Sequence, residues 1–247
     1  MRFEIFQEPA GNGIFQMQRD WDLLESAAKG NSEGGIRFYK WDRPTISLGY
    51  HQKDSMLLLD KLEADGVPWV RRPTGGAAVL HSDELTYAVV CPNADRQNVS
   101  ALVLEYVGRA IAEGLQSAGV KAQLEPRGEP LTALPNRTMC FVRTSRWEVT
   151  ANGKKIVGSA QRKYENAILQ HGSILLGDDH LRIADYLKLN NDQDREVLRK
   201  RLDSSATSVA RELGKAISDD EIRQHMETSF RMMLADLAER LTSLDAA

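Results

Sequence analysis

Residues 71–81 read RRPTGGAAVLH, and this stretch does most to decide which fold the chain can adopt. Two arginines run into the pair Gly75-Gly76, where the missing side chains let the backbone approach a ligand closely. Since guanidinium groups bind anions and carbonyl oxygens, the combination suits a ligand carrying such groups. A short apolar run ending at His81 follows and predicts a strand. Taken alone, the glycine pair is equally typical of a tight turn, and the arginine pair of a solvated surface.

A second block, KKIVGSAQR at residues 154–162, places a lysine three residues before a Gly-Ser-Ala step. Asn152-Gly153 directly precedes it, and this dipeptide tolerates positive φ, so it predicts a two-residue hairpin turn. The next predicted strand carries QHGS at residues 170–173. The second block therefore lies on one of a set of adjacent antiparallel strands.

Working outward, short runs rich in branched and aromatic residues predict strands, and apolar residues at three- and four-residue steps predict helices. The predicted strands cover residues 36–41, 45–50, 67–72, 77–81, 86–91, 146–151, 154–163 and 167–176. The predicted helices cover residues 15–29, 100–118, 181–187 and 218–241, with Ser100 and Ser218 as candidate N-caps. We expect an α+β fold with mixed, largely antiparallel sheets and packed helices.

The composition excludes several classes of protein. Of 247 residues, 42% are hydrophobic and 27% charged, as in soluble globular proteins. No apolar run approaches the roughly 20 residues that a membrane span requires, and the N-terminus lacks a secretory apolar core. With 32 basic and 35 acidic residues, binding of nucleic acid through a basic surface is disfavoured. No repeat or linker divides the chain, so we expect one domain over residues 1–247, helical from about 181, in the cytoplasm.

The two cysteines, Cys91 and Cys140, are too few for a disulfide framework and are not spaced for zinc. Cys91 ends an apolar strand, which favours a packing role. Cys140 follows the polar stretch 134–137, which favours a reactive thiol over a buried one. His180 and His225 lie in polar helical stretches and are expected to be exposed. No His, Cys and carboxylate set has the spacing of metal ligands, so we predict no metal site.

The two blocks also carry a family resemblance. RRPTGG and KIVGSA, in this order, resemble the two ligand-binding signatures of the biotin/lipoate protein ligase superfamily, and in particular of its lipoate ligase A-like branch. HGSILL at residues 171–176 is similar to the strand that follows the second signature, and WDRPTISLGYHQ at residues 41–52 to the N-terminal strand pair. The similarity covers roughly residues 38–187. It implies that the chain is one catalytic domain of the biotin/lipoyl ligase type.

The resemblance also implies which residues bind the substrate. In the family, the first glycine loop lies over the acyl chain, and the lysine of the second block lies beside the reacting carbonyl. The substrate-binding residues implied here are Arg71, Arg72, Gly75, Gly76, Ala77, His81, Gly158, Ser159, Ala160, His171 and Gly172. Many members have three consecutive glycines where this chain has Gly75-Gly76-Ala77, which changes the freedom of the loop.

Cys140, in the segment TMCF, resembles the nucleophile of the cysteine-dependent, ligase-like octanoyltransferases. A thiolate exchanges one thioester for another at little thermodynamic cost, and an amine can then open the acyl-enzyme. A thiol with an ordinary pKa is mostly protonated at neutral pH, so a nearby cation is needed, and Lys155 is expected to lower that pKa and to move protons. The expected catalytic pair is therefore Cys140 and Lys155.

The function implied is transfer of an octanoyl group from octanoyl-acyl carrier protein, through a Cys140 thioester, to a lysine of lipoyl-domain proteins. Such acceptors are the glycine cleavage H protein and dehydrogenase E2 subunits. No cofactor is implied, and neither nucleic acid nor membrane is an expected partner. Two alternatives stay open: an ATP-dependent lipoate–protein ligase, which would use ATP and Mg²⁺, and a non-catalytic acyl-binding module. A basic patch of Arg137, Arg143, Arg146 and Arg162 is expected to steer acidic partner proteins.

Overall fold

The structure, a computed structural model, describes residues 3–92, 98–125 and 147–243. Cys140 lies outside these residues, as do Arg137, Arg143 and Arg146 of the predicted basic patch. Among the described residues, no helix is both long and apolar enough to cross a membrane.

The centre of the fold is a five-stranded sheet with the order β1-β2-β6-β11-β10. Its strands are β1 (Glu4–Gln7), β2 (Gly35–Tyr39), β6 (Glu84–Pro92), β10 (Val157–Tyr164) and β11 (Ala167–Leu175). Strand β1 pairs with β2 in parallel, and the other neighbours are antiparallel. The expected α+β fold with largely antiparallel sheets is confirmed.

Two smaller sheets flank this one, each with three strands. One has the order β4-β3-β5 and consists of β3 (Thr45–Leu48), β4 (Trp69–Arg71) and β5 (Val79–His81). The other has the order β7-β8-β9 and consists of β7 (Ala122–Glu125), β8 (Glu148–Ala151) and β9 (Lys154–Lys155). Strand β7 was not predicted from the sequence.

The helices are α1 (Gly13–Ala28), α2 (Leu59–Ala64), α3 (Val99–Ser117), α4 (Asp192–Ser205), α5 (Val209–Leu213) and α6 (Asp219–Ser243). The described residues also include two 3₁₀ segments, Asp54–Met56 before α2 and Asp179–Tyr186 before α4. The cap predicted at Ser218 is confirmed, since its hydroxyl accepts the Glu221 N–H at 3.1 Å. The cap predicted at Ser100 is wrong, because α3 begins earlier and its N-cap is Asn98 in the left-handed conformation.

The predicted hairpin at Asn152-Gly153 is confirmed, with φ of 50° and 74° at the two turn residues and strands β8 and β9 paired on either side. The single strand predicted over 154–163 is split, however. Ile156 separates β9, in the small sheet, from β10, in the central sheet. This one stretch of chain therefore connects the small sheet directly to the central sheet.

Side chains alternate between the two faces of the central sheet. One face is apolar and belongs to the largest core cluster, together with residues of α3 and α6. The opposite face carries Arg37, Glu84, Thr86, His171 and Ser173, all buried. Helix α1 packs across this second face, against β6 and β11. Buried polar groups are hydrogen-bonded, so these side chains must form an ordered network on the second face. Such a cluster of buried polar side chains is where a functional site is expected.

Candidate active site

A pocket of about 350 Å³, measured out to its mouth, lies on the polar face of the central sheet. Its wall consists of Met17, Tyr39, Trp41, Ser47, Arg72, Val79, His81, Thr86, Gly158, Ser159, Ala160, His171, Gly172 and Ser173. Residues of both sequence blocks therefore meet around one cavity.

The backbone requires glycine at three positions beside the pocket, Gly172 and Gly49 because another backbone atom lies close, and Gly76 because its φ is positive. A Cβ atom at Gly172 would overlap the carbonyl oxygen of Gly158 on the neighbouring strand and would lie 2.9 Å from the Tyr87 ring. In the first glycine loop, Gly76 has a φ of +93°, which disfavours any residue with a side chain. A Cβ at Gly49 would overlap the Gly76 carbonyl, so the loop lies directly against the end of β3.

The two arginines of the first block have different positions. Arg72 is buried and holds the glycine loop, since its guanidinium donates to the carbonyl oxygens of Gly75 at 2.8 Å and Ala77 at 2.7 Å. Arg71 is exposed and points away from the pocket, donating to the carbonyl oxygens of Gly49 at 3.1 Å and Tyr50 at 3.3 Å. Arg72 thus lines the pocket, and Arg71 lines a neighbouring open basin.

One hydrogen-bond network surrounds His81. Its Nδ1 lies 2.7 Å from Glu84 Oε1 and its Nε2 lies 2.7 Å from Ser47 Oγ. The imidazole stacks on Trp41, with the ring centroids 4.0 Å apart and the planes at 14°. The Trp41 indole N–H donates to Thr86 Oγ1 at 2.8 Å. Both rings are fixed by these contacts, so the pocket wall has a defined shape before any ligand binds.

A second network surrounds His171. Its Nδ1 lies 2.7 Å from Asp20 Oδ2 and its Nε2 lies 2.6 Å from Thr74 Oγ1. Burial lowers the pKa of His171 against the opposing effect of Asp20, so the ring is neutral at neutral pH. The neutral ring donates from Nδ1 to the carboxylate and accepts the Thr74 hydroxyl at Nε2. This bond anchors the first glycine loop to β11.

Arg37 compensates the charge of Asp20. It is fully buried, and its Nη1 donates to Asp20 Oδ1 at 2.7 Å while Nη2 lies 2.5 Å from Glu8 Oε2. Tyr39 lies beside this pair, with its hydroxyl 3.2 Å from Asp20 Oδ2. Burial, together with Asp20, raises the pKa of Tyr39 well above its usual value, so the phenol stays protonated.

Lys155 is not part of the pocket wall. It is buried on β9, and its Nζ lies 2.5 Å from Glu148 Oε1 on β8. The lysine predicted as a cation for the thiol thus already has a carboxylate partner that the sequence reasoning did not identify. Whether Cys140 lies near Lys155 stays a prediction, since Cys140 is outside the described residues.

Seven of the predicted substrate-binding residues lie on the pocket wall: Arg72, His81, Gly158, Ser159, Ala160, His171 and Gly172. Gly75 and Gly76 form the loop that Arg72 holds, and Ala77 is buried just after it. Ser159 Oγ lies 2.7 Å from the Tyr87 hydroxyl, whose pKa burial raises to about 12. The sequence reasoning missed Asp20, although a charged residue on the apolar stripe of α1 was a usable signal.

The two predictions for residues outside the pocket have opposite outcomes. Cys91 is fully buried in the apolar core, as predicted. The prediction that His180 is exposed is wrong, because its side chain is only 4% exposed beneath the 3₁₀ segment. Within the described ranges, no group of three His, Cys, Asp or Glu side chains could hold a metal ion.

The fold and the pocket define the class of protein. Residues 12–231 match the family described as the lipoyl protein ligase A/B catalytic domain, and the chain belongs to this family. The predicted membership of the lipoate branch is confirmed. Among solved structures, the bi-partite lipoate protein ligase of Thermoplasma acidophilum has a TM-score of 0.71 at 22% identity, covering 95% of this chain and 84% of that one. The lipoate-protein ligase A bound with ATP has a TM-score of 0.70, also at 22% identity, covering 95% and 86%.

Curated relatives narrow the class. The chain is 33% identical over 226 residues to octanoyltransferase LipM of Kyrpidia tusciae, covering 89% of this chain and 82% of the relative. It is 35% identical over 222 residues to octanoyltransferase LipM of an Exiguobacterium species, covering 87% and 80%. A third such relative, from Clostridioides difficile, is 30% identical over 231 residues, covering 91% and 84%. The chain is therefore an enzyme, an acyltransferase of this family.

Proposed function

We propose that this enzyme transfers an octanoyl group from octanoyl-acyl carrier protein to a lysine of lipoyl-domain proteins, through a thioester on Cys140. The acceptors proposed are the glycine cleavage H protein and dehydrogenase E2 subunits. The observation that carries the proposal is the narrow pocket whose wall joins both sequence blocks. The names of the relatives, all octanoyltransferases, support the same reaction.

The proposed reaction has two balanced steps. In the first, the Cys140 thiolate attacks the thioester carbonyl, a new C–S bond forms, and the carrier thiolate leaves and takes up a proton. In the second, the acceptor lysine attacks as a neutral amine, an amide bond forms, and the Cys140 thiolate leaves while the amine loses its proton. The acyl group is conserved and no nucleotide is consumed.

The pocket suits the acyl chain rather than the reacting carbonyl. Met17, Trp41 and Val79 supply apolar surface to its wall, and Gly158 and Gly172 supply backbone without a side chain. Burying a methylene group contributes about 0.8 kcal/mol, so an octanoyl tail gains affinity from each carbon it inserts. The ordered His81 and His171 networks keep the width of the pocket constant.

Lys155 is proposed as the group that moves protons between the thiol, the leaving thiolate and the attacking amine. Because Glu148 already pairs with its ammonium, Lys155 lowers the pKa of a nearby thiol less than an isolated cation would. The contact with Glu148 also holds the Lys155 side chain in one position inside the protein. Lys155→Met should accordingly slow acylation of the enzyme more than it weakens binding of the donor.

The test is intact-mass analysis after incubation with octanoyl-acyl carrier protein. The wild-type chain should gain the mass of one octanoyl group, and Cys140→Ala should gain none and lose transfer activity. The matched control is Cys91→Ala, which removes the other cysteine and should still form the adduct. Full transfer by Cys140→Ala would refute the thioester mechanism.

The same preparation distinguishes the two alternatives. Release of pyrophosphate from ATP in the presence of free lipoate would replace the transferase with a lipoate–protein ligase, and would bring ATP and Mg²⁺ into the reaction. Tight binding of the octanoyl donor without turnover would instead indicate a non-catalytic acyl-binding module.

A further inference from the structure

An open basin lies next to the pocket, between the first turns of α1 and the first sequence block. Its volume is about 990 Å³, counted out to solvent. Its lining residues are Ile14, Met17, Gln18, Trp21, Tyr50, Trp69, Val70, Arg71, Arg72, Pro73 and Arg162. Ile14 is 76% exposed and Tyr50 49% exposed, so the basin presents apolar and aromatic surface to solvent.

Besides Arg72, which holds the glycine loop, two arginines give the basin its charge. The Arg162 guanidinium lies over the Tyr50 ring at 4.6 Å and over the Trp21 ring at 5.3 Å, and its Nη1 donates to the Pro73 carbonyl at 2.7 Å. Arg71 donates only to backbone carbonyls of the loop after β3. Among the residues that the structure describes, neither guanidinium forms an ion pair with a carboxylate. Within the described ranges, the basin therefore carries two positive charges without a carboxylate partner, and that of Arg162 lies over aromatic rings.

The basin and the pocket adjoin each other. Met17 and Arg72 line both, so these two side chains lie at the boundary between the cavities. For a ligand whose acyl tail fills the pocket and crosses this boundary, the part that follows the carbonyl enters the basin. That part must combine apolar segments, for Ile14 and Trp21, with an anion for the arginines.

We propose that the basin binds the phosphopantetheine arm of the acyl donor, with its phosphodiester at Arg162 and Arg71. The inference rests on the proposed octanoyl transfer and names the donor subsite. The arm has an apolar and amide-bearing chain ending in an anion, which matches the basin in order and in charge. A lysine of the acceptor carries the same charge as the two guanidiniums, so the acceptor is disfavoured here.

The test compares two donors that differ only by the phosphate, octanoyl-4′-phosphopantetheine and octanoyl-pantetheine. For the wild-type enzyme, the phosphate should lower KM about fivefold, the size expected of partly exposed charge contacts. Arg162→Gln should reduce this ratio to about twofold, because Arg71 remains, and added salt should reduce it in the wild type. Arg231→Gln, at an exposed arginine of α6 on the other side of the central sheet, is the control and should keep the wild-type ratio.

Calorimetric binding of 4′-phosphopantetheine and of pantetheine to the same variants gives a readout independent of turnover. If the wild type uses neither octanoyl donor, the proposed function fails. The ratio of the affinities for 4′-phosphopantetheine and pantetheine then still tests the subsite. Equal affinities for the two compounds, or an equal loss in Arg162→Gln and Arg231→Gln, would overturn the subsite. So would an Arg162→Gln variant whose KM rises only for the lipoyl-domain acceptor.

Discussion

The two faces of the central sheet are built by the same strands but have opposite chemistry. On β2, Ile36 and Phe38 point into the apolar core, while Arg37 and Tyr39, between and beside them, point toward the pocket. Both faces are buried, so exposure to solvent does not explain the difference. The apolar face stabilises the fold by removing surface from water. The polar face contributes hydrogen-bonded groups that hold the pocket in one shape.

The side chains of the polar face also contact one another in a long series. A chain of contacts runs from Glu8 through Arg37 and Asp20 to His171 and then to Thr74 in the glycine loop. It joins the segment before α1, the helix itself, β2, β11 and the first sequence block. Loss of one member therefore affects several elements, whereas a change on the apolar face affects local packing.

The largest expected effect is at Arg37. Arg37→Met leaves the buried Asp20 carboxylate without its cation, while Glu8 keeps its ion pair with Arg19, and should lower the free energy of unfolding by about 3–5 kcal/mol. Urea denaturation measures this loss. Arg231→Met, at an exposed arginine, should change stability by no more than about 0.5 kcal/mol. A loss at Arg37 below about 1 kcal/mol would show that the polar face does not depend on this ion pair.

A steric change at the pocket should have the next largest effect. Gly172→Ala places a Cβ against the Gly158 carbonyl, so β10 and β11 must separate where they line the pocket. We expect a loss of about 1–3 kcal/mol in stability and a higher KM for the octanoyl donor. Gly75→Ala is the control, because a Cβ there meets no atom within 4 Å, and should change stability by at most about 1 kcal/mol. Equal effects at both glycines would contradict close packing at Gly172.

Two buried histidines, His171 on the polar face and His180 in the 3₁₀ segment, should also make stability depend on pH. Burial lowers the pKa values of His171 and His180 in the folded chain, so below about pH 6.5 the unfolded chain takes up protons first. Stability is therefore full above this pH and falls as the pH is lowered, by at most about 1.4 kcal/mol per pH unit for each histidine. Urea denaturation at a series of pH values gives the slope, which His171→Asn should reduce. An unchanged slope in that variant would assign the effect to other groups.

The smallest effect is expected on the apolar face. Ile168 is fully buried in the core cluster and does not touch the pocket. Ile168→Val should lower stability by about 0.5–1.5 kcal/mol and leave KM for the octanoyl donor unchanged. Measuring the free energy of unfolding and KM on one preparation shows whether this face affects stability alone. A raised KM would mean that the apolar face also sets the shape of the pocket.

The sequence predicts what depends on local chemistry. The Asn152-Gly153 turn and the Ser218 cap follow from backbone preferences of a few neighbouring residues. The apolar stripe of α6 follows from its period. The family resemblance brought the two glycine blocks together, which spacing alone could not do.

What the sequence could not predict depends on contacts between distant residues. Asp20 and His171 are 151 positions apart, and no local pattern pairs them. The pairing of Lys155 with Glu148 needs the β8–β9 hairpin to be built first. The split of the strand at Ile156 depends on which sheet each half joins, a choice made by tertiary packing rather than by strand propensity.

The stacking of Trp41 on His81 makes the pocket visible to spectroscopy without any label. An indole in contact with an imidazole is quenched to a degree that depends on the distance between the rings and on the protonation of the imidazole. Since both rings are held in place, an acyl chain entering beside Trp41 would change the polarity around the indole while its contact with His81 is kept. The emission of Trp41 would then report the arrival of the tail in real time, ahead of any covalent chemistry.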